Sequence, residues 1–120
     1  MFESIFARKT LSEAKALSFG FTKANGNYVY ETEILDGSFH LKVLISPSGV
    51  VDTFLTETDS GEEYVLYKTT AAGSFVGKVK AQIEKVLTDI SDFCYYVDIF
   101  KATQTKEIIS YVREKYGDEL

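Results

Sequence analysis

The chain has a single histidine, and the strand pattern places it next to a carboxylate. The register derived below puts His40 opposite Glu33, and a carboxylate beside an imidazole can hold a general base or orient a ligand. Catalysis would also require a nucleophile or a metal ion within reach. The only further side chain that the register places in line with this pair, on the next strand, is that of Thr56. We therefore interpret the pair as an ordinary cross-strand ion pair at the surface and predict no catalytic residue.

The one cysteine, Cys94, lies on the apolar face of a predicted helix. A reactive thiolate requires a basic and partly exposed setting, whereas apolar burial raises the pKa of a thiol. The position therefore predicts a structural cysteine that contributes to the core.

Metal, phosphate and nucleophile-elbow sites find no support in the sequence. One histidine and one cysteine on different elements do not make a transition-metal site. Asp59, Glu62 and Glu63 crowd one turn, but the ligand spacing of an EF-hand is absent and a solvated turn is the better interpretation. The motifs G-x-G-x-x-G, G-x-x-x-x-G-K-S/T and G-x-S-x-G do not occur. We predict no metal, no cofactor and no enzymatic activity.

The composition is that of a globular protein, with 120 residues of which 45% are hydrophobic and 14% aromatic. This length suits one domain with one core. The apolar runs are far shorter than a membrane span, and the N-terminus lacks a basic segment leading into an apolar one. A single cysteine cannot form an internal disulfide. The sequence predicts a single domain over residues 1–120, located in the cytoplasm and without a membrane partner.

The net charge of −5 is concentrated in the middle of the chain. Residues 21–71 contain eight acidic and three basic residues, which accounts for a charge of −5. An acidic sheet repels a phosphate backbone, and the basic stripe of a nucleic-acid-binding protein is missing. We therefore predict that this fragment does not bind nucleic acid directly.

Glycine-bearing turns divide the segment between residues 25 and 67 into short strands. The turns are Asn25-Gly26, Asp36-Gly37, Ser46-Pro47-Ser48-Gly49 and Asp59-Ser60-Gly61. Asp-Gly flanked by alternating apolar residues is typical of a two-residue type I′ hairpin turn. It predicts a register that pairs Ile34 with Phe39 and Glu31 with Lys42, with the apolar residues on one face.

The later turns extend the same sheet. A three-residue loop with a G1 bulge at Gly49 places Leu41 opposite Leu55. The same reasoning at Gly61 places Leu55 opposite Val65 and Thr53 opposite Tyr67. Residues 21–24 are predicted to form a short edge strand. The pattern therefore predicts an antiparallel meander of four to five strands.

Helical patterns precede and follow this meander. Apolar residues at steps of three and four predict a long amphipathic helix over residues 75–94, with Gly77 allowing close approach to a strand. Phe2, Ile5 and Phe6, then Leu11, Ala14 and Leu17, predict short N-terminal helices, the second capped by Thr10. Residues 103–116 predict a C-terminal helix. The fold class is α+β: an antiparallel meander sheet of four to five strands, packed on one face by the long helix, with short N-terminal helices and a C-terminal helix.

The predicted outward face of the sheet is less polar than a solvated face should be. The register places five apolar or aromatic residues there: Val29, Leu44, Phe54, Tyr64 and Leu66. A contiguous exposed apolar surface commonly marks a contact site. Two interpretations remain open, one in which the first helix covers this patch and one in which a partner binds it.

Several segments resemble a known bacterial family. Residues 110–120 (SYVREKYGDEL) are similar to the segment that leads into the named domain of MmcQ/YjbR-family proteins. Residues 30–37 (YETEILDG), 61–66 (GEEYVL) and 86–90 (VLTDI) are similar to an N-terminal extension found in some of them. The resemblance implies that residues 1–120 are the N-terminal part of a longer protein. The CyaY-like domain, to which the family's DNA-binding role belongs, would begin about where this sequence stops.

These observations favour a non-enzymatic accessory or interaction domain that uses the outer sheet patch. The partner would be its own C-terminal domain, another protein or a second copy in a homodimer. One alternative is a part of a DNA-binding MmcQ/YjbR-like protein whose DNA contacts lie in the C-terminal domain. A second alternative is a small-ligand site between the long helix and the sheet, for which a deep apolar pocket would be the signature.

Overall fold

The computed structural model describes residues 2–97 of the chain. Its two α-helices are α1 (Glu13–Phe19) and α2 (Ser74–Cys94), and two 3₁₀ helices span Glu3–Phe6 and Leu66–Lys68. The strands are β1 (Lys9–Leu11), β2 (Thr22–Ala24), β3 (Asn27–Ile34), β4 (Phe39–Ile45), β5 (Val51–Glu57) and β6 (Tyr95–Val97). The fold is therefore α+β, as predicted. The predicted helix over residues 103–116 lies outside the described residues.

The main sheet is antiparallel with the strand order β2-β3-β4-β5. At its central hairpin Asp36 and Gly37 have φ values of 55° and 84°, and the Ser38 N–H donates to the Leu35 carbonyl oxygen at 3.0 Å. Positive φ at both central positions is what a type I′ turn requires. Strand β3 pairs with β4 in the predicted register, in which Ile34 lies opposite Phe39.

The turn between β4 and β5 also follows its sequence signature. Gly49 has a φ of 91°, and the Ser46 N–H donates to the Val50 carbonyl oxygen at 2.9 Å. This geometry places Leu41 opposite Leu55, as predicted. The edge strand β2 is confirmed as well, and it pairs with the start of β3.

The predicted fifth strand is wrong. Glu63 bridges Thr56, and the Tyr64 N–H donates to the Leu55 carbonyl oxygen at 2.8 Å. The predicted register placed Val65 opposite Leu55, so the observed pairing is shifted by one residue. Such a shift moves every side chain to the other face. The chain then enters the 3₁₀ helix Leu66–Lys68 instead of continuing as a strand.

The N-terminal segment contains a strand that the sequence did not predict. Strand β1 pairs antiparallel with β6, which directly follows helix α2. Thr10 lies in this strand and is therefore not the cap of helix α1. The N-cap is Ser12, whose Oγ accepts from the Lys15 N–H at 3.4 Å.

The inward face of α1 also differs from the prediction. The apolar spacing indicated Leu11, Ala14 and Leu17, but Leu17 is 48% exposed and Ala16 is fully buried. Leu11 belongs to β1. A helix of only seven residues has too few turns for apolar spacing to define its buried side.

Helix α2 and the inner face of the sheet contribute to one hydrophobic core. The buried apolar residues of the helix form a stripe at helical spacing: Val76, Val79, Ile83, Leu87, Ile90 and Cys94. The core cluster combines most of them with inward-facing strand residues, among them Leu41, Val43 and Leu55. Among the described helices, none is long and apolar enough to cross a membrane.

Gly77 does not mark a close approach of this helix to a strand. A Cβ atom added at Gly77 would meet no atom within 4 Å, and the residue is exposed. The prediction made from its sequence position was therefore wrong. The helix has room for a side chain there.

We expect Gly77→Ala to raise the free energy of unfolding by about 0.5–1 kcal/mol, because alanine loses less backbone entropy in a helix than glycine. Urea denaturation followed by circular dichroism would measure this change. Gly73→Ala is the control, because the space around Gly73 is also open but its φ is 139°. That backbone conformation is strained for alanine, so this variant should lose stability. A Gly77→Ala protein that is less stable than the wild type would contradict the assignment.

Candidate functional site

The outer face of the sheet carries three of the five predicted patch residues. Val29 lies directly opposite Leu44, and Leu44 lies opposite Asp52. Phe54 is two residues beyond Asp52 on the same strand, so it is the diagonal neighbour of Leu44. Phe54 is 38% exposed, and Val29 and Leu44 are half-buried. We call Val29, Leu44 and Phe54 the outer patch.

Tyr64 and Leu66 do not belong to the outer patch. The ring centroid of Tyr64 lies 5.3 Å from that of Phe39 and 6.2 Å from that of Phe75. Phe39 is buried in the core, so Tyr64 packs on the inner side. The one-residue shift after β5 explains this placement. Leu66 lies in the second 3₁₀ helix, outside the strand rows.

The N-terminal segment packs on helix α2 and not on the outer patch. The Ser91 hydroxyl donates to the Ile5 carbonyl oxygen at 2.8 Å, and the Lys9 ammonium donates to Ser91 Oγ at 2.7 Å. Phe2, Ile5 and Phe6 pack against the core cluster. The interpretation in which the first helix covers the patch is therefore wrong.

The histidine pair differs from the prediction in its partner. Glu33 is the cross-strand neighbour of His40, but His40 Nε2 lies 3.0 Å from Oε1 of Glu31, on the diagonal. Thr56 is opposite His40 on the other side, as the register predicted. All of these side chains lie on the outer face of the sheet.

A cleft of about 530 Å³ opens between the N-terminal segment, one end of the sheet and helix α2. Its apolar lining comes from all three parts: Phe2, Phe6, Val50, Val51 and Leu87. Glu3, Gly49, Asp52, Thr53, Tyr67 and Lys68 complete the lining. The volume and the mixture of apolar walls with a few polar groups are typical of a small-ligand site.

Two buried hydroxyl groups belong to the wall of this cleft. Thr53 is 6% exposed and Tyr67 is 1% exposed. Thr53 Oγ1 lies 2.9 Å from the Tyr67 hydroxyl oxygen, and the Tyr67 hydroxyl donates to the Thr53 carbonyl oxygen at 3.2 Å. Burial raises the pKa of Tyr67, so the phenol stays neutral and keeps its proton.

The charged residues of the cleft lie at its edge. Lys68 Nζ lies 3.5 Å from Oδ1 of Asp52 and 5.1 Å from the ring centroid of Phe54. The same carboxylate oxygen accepts from the Thr53 N–H at 2.8 Å. Lys68 therefore reaches the edge of β5 and connects the border of the cleft to the outer patch.

The sequence did not predict this cleft, although it brought two of the lining residues together. It placed Thr53 next to Tyr67, and the structure joins the two through their side chains instead of through a strand pair. The apolar spacing of Phe2 and Phe6 predicted a short helix. That spacing could not show that the two rings would border a cleft, because the cleft depends on the distance between helix α2 and the sheet.

Cys94 and Tyr95 lie at the end of helix α2, where burial controls their ionisation. Desolvation raises the pKa of the Cys94 thiol to about 11 and that of the Tyr95 phenol to about 12. Cys94 is fully buried, as the sequence predicted, and the ring centroid of Tyr95 lies 4.9 Å from that of Phe6, with the two rings tilted by 54°. A neutral thiol in this setting is a poor nucleophile.

Within residues 2–97 no three histidine, cysteine, aspartate or glutamate side chains form a group that could hold a metal ion. The acidic turn at residues 59–63 is therefore not a cluster of this kind. No family model, curated protein or solved structure matches this chain.

We expect the stability of the fold to decline in alkaline solution because Cys94 and Tyr95 are held neutral. Their folded pKa values exceed the unfolded ones, which are about 8.5 and 10. Their contribution is therefore complete below pH 8.5 and is lost between about pH 8.5 and 11 for the thiol, and between about pH 10 and 12 for the phenol.

Urea denaturation at a series of pH values would measure this loss. Each group can contribute at most about 1.4 kcal/mol per pH unit. The Cys94→Ala variant should be less stable than the wild type at pH 8. As the pH rises, its free energy of unfolding should not show the part of the decline that begins near pH 8.5 in the wild type. Rapid alkylation of Cys94 by iodoacetamide in the folded protein would contradict its burial.

Proposed function

We propose that this chain is a non-enzymatic binding domain whose cleft receives a small ligand. The observation that carries this proposal is the opening of about 530 Å³ with apolar walls and two convergent hydroxyl groups, Thr53 and Tyr67. One end of the sheet and Leu87 of helix α2 both border the opening, which supports the ligand-binding alternative.

The cleft depends on a two-layer arrangement, which we infer from the shared core. In this arrangement helix α2 packs over the inner face of the sheet, and its buried stripe joins the strand residues in one cluster. Leu87 belongs to that stripe and also lines the cleft. Leu87, at this end of the core, is therefore also part of the wall of the proposed binding site.

Indole is a suitable first probe because the chain has no tryptophan to obscure its fluorescence. We expect saturable binding to the full chain, and we expect Val51→Phe to weaken it about tenfold by filling the cleft. A tenfold change corresponds to about 1.4 kcal/mol. Val29→Phe is the matched control, because it adds the same ring on the outer face of the sheet and should leave the affinity unchanged. Equal loss in both variants would show that indole binds elsewhere.

The second candidate function is protein interaction through the outer patch. Phe54 supports it, since this large aromatic side chain is 38% exposed on the outer face of the sheet. Leu44 and Val29 extend the apolar surface across two further strands. The occupant would be a second copy, another protein or a C-terminal domain of the same protein.

We expect Phe54→Asp to abolish self-association or partner binding while the chain remains folded, because Phe54 lies outside the hydrophobic core. Light scattering over a range of concentrations would measure self-association. Thr56→Asp on the same strand and face is the control and should behave as the wild type. A wild-type chain that remains monomeric and binds neither a longer form of itself nor any other protein would refute this candidate.

A third proposal concerns the family, and its support is the resemblance of residues 30–37, 61–66, 86–90 and 110–120. On that basis the chain would be the N-terminal extension of an MmcQ/YjbR-family protein, and DNA binding would belong to the C-terminal domain. The acidic charge of this fragment predicts that it does not shift DNA by itself. A salt-dependent shift by the 120-residue chain would overturn the charge argument, whereas binding by a longer chain alone would support the proposal.

A further inference from the structure

A buried hydroxyl group ties the N-terminal wall of the cleft to helix α2. Ser91 is 1% exposed and lies on the buried side of the helix, one turn after Leu87, which lines the cleft. Its hydroxyl donates to the Ile5 carbonyl oxygen at 2.8 Å and accepts from the Lys9 ammonium at 2.7 Å. One side chain of the helix therefore holds both the first 3₁₀ helix and strand β1.

The carbonyl group that Ser91 holds belongs to the turn that carries the aromatic wall. The Ile5 N–H donates to the Phe2 carbonyl oxygen at 3.1 Å, so Phe2 is held through Ile5. Phe6 follows directly in the chain, and its ring centroid lies 4.9 Å from that of Tyr95. Phe2 and Phe6 line the cleft, whereas the residues that hold them are outside its lining. The placement of this wall thus depends on contacts that a ligand in the cleft would not touch.

A serine at this place on helix α2 is unfavourable unless it makes such bonds. The buried residues next to it on the helix are apolar: Leu87, Ile90 and Cys94. Removal of a hydroxyl group from water is costly when no hydrogen bond replaces the lost water. Both partners of Ser91 are distant in sequence, 86 residues away for Ile5 and 82 for Lys9. Ser91 therefore fixes the N-terminal segment against the helix, and these are two of the three parts that surround the cleft.

We propose that Ser91 and Lys9 are positioning residues of the ligand site, which hold Phe2 and Phe6 at the separation from helix α2 that a ligand requires. This inference rests on the proposed ligand-binding function and adds residues to that site. The apparent affinity falls with the fraction of molecules in the binding-competent arrangement, so loss of the anchor weakens binding. By linkage, a bound ligand stabilises the anchored arrangement by the same factor.

Indole binding to variants of the full chain tests this role. We expect Ser91→Ala to weaken the binding of indole about three- to tenfold, which is the usual effect of one hydrogen bond. Lys9→Met keeps the aliphatic stem but loses the donor, so it should weaken binding as well, and Lys9→Arg should restore most of the affinity because it retains a donor. Lys23→Met is the matched control and should bind as the wild type. Lys23 pairs with Glu13 at 3.1 Å on the exposed surface, away from the lining of the cleft.

A loss of stability alone should not reproduce this effect. Ile34→Val removes a methylene group from a buried residue outside the cleft, so it should lower the thermal stability and leave the affinity for indole unchanged. Hydrogen exchange measured by NMR gives a second readout. Indole should slow the exchange of the Ile5 N–H in the wild type, and this protection should be smaller in Ser91→Ala. If Ser91→Ala does not fold, Lys9→Met provides the same test at a less buried residue.

The outcomes separate this inference from the proposed function. If the wild type binds indole and Val51→Phe weakens that binding, but Ser91→Ala or Lys9→Met folds and retains full affinity, the positioning role is wrong while the cleft remains a binding site. An equal weakening in Ile34→Val or Lys23→Met would also refute the role, because the effect would then be general. If the wild type does not bind indole, the proposed ligand-binding function itself fails.

Discussion

The alternation of side chains along strands β3, β4 and β5 is the constraint on which the rest of the structure depends. The type I′ turn at Asp36 and Gly37 fixes which residues lie opposite each other, and the period of two then sends Leu41, Val43 and Leu55 to the same face. Burial of each such side chain contributes roughly 1.5–3 kcal/mol. A shift of one residue would expose several of these side chains at once. The register therefore contributes more to the stability of the fold than any single turn or ion pair. Helix α2 contributes buried residues to the same core cluster.

Polar groups next to this core position the N-terminal segment. Ser91 is 1% exposed, accepts from the Lys9 ammonium and donates to the Ile5 carbonyl oxygen. A buried hydroxyl without partners would cost about 1–3 kcal/mol, whereas this one has both a donor and an acceptor. The bonds hold the first residues against helix α2, where Phe2 and Phe6 border the cleft. The wall of the candidate site is therefore fixed by interactions made outside it.

The open edge of strand β5 shows how the cleft and the sheet are related. An unpaired strand edge invites aggregation unless its backbone groups are satisfied. Here the Asp52 carboxylate accepts from the Thr53 N–H, and the Tyr67 hydroxyl donates to the Thr53 carbonyl oxygen. Further along the strand, the Tyr64 N–H donates to the Leu55 carbonyl oxygen. Asp52, Thr53 and Tyr67, which satisfy part of this edge, also line the cleft, so edge protection and the candidate binding site share these three residues.

The sequence by itself determined the features that follow from local chemistry. Asp36-Gly37 and Gly49 require particular backbone angles, and these fix the register of β3, β4 and β5 within a few residues of each turn. The long apolar stripe of α2 and the burial of Cys94 follow from helical spacing over 21 residues. Only the tertiary structure decided the pairing of β1 with β6, the one-residue shift that turns Tyr64 to the inner side of the sheet, and the existence of the cleft. These depend on how far apart distant segments come to rest, and no local spacing in the chain encodes that distance.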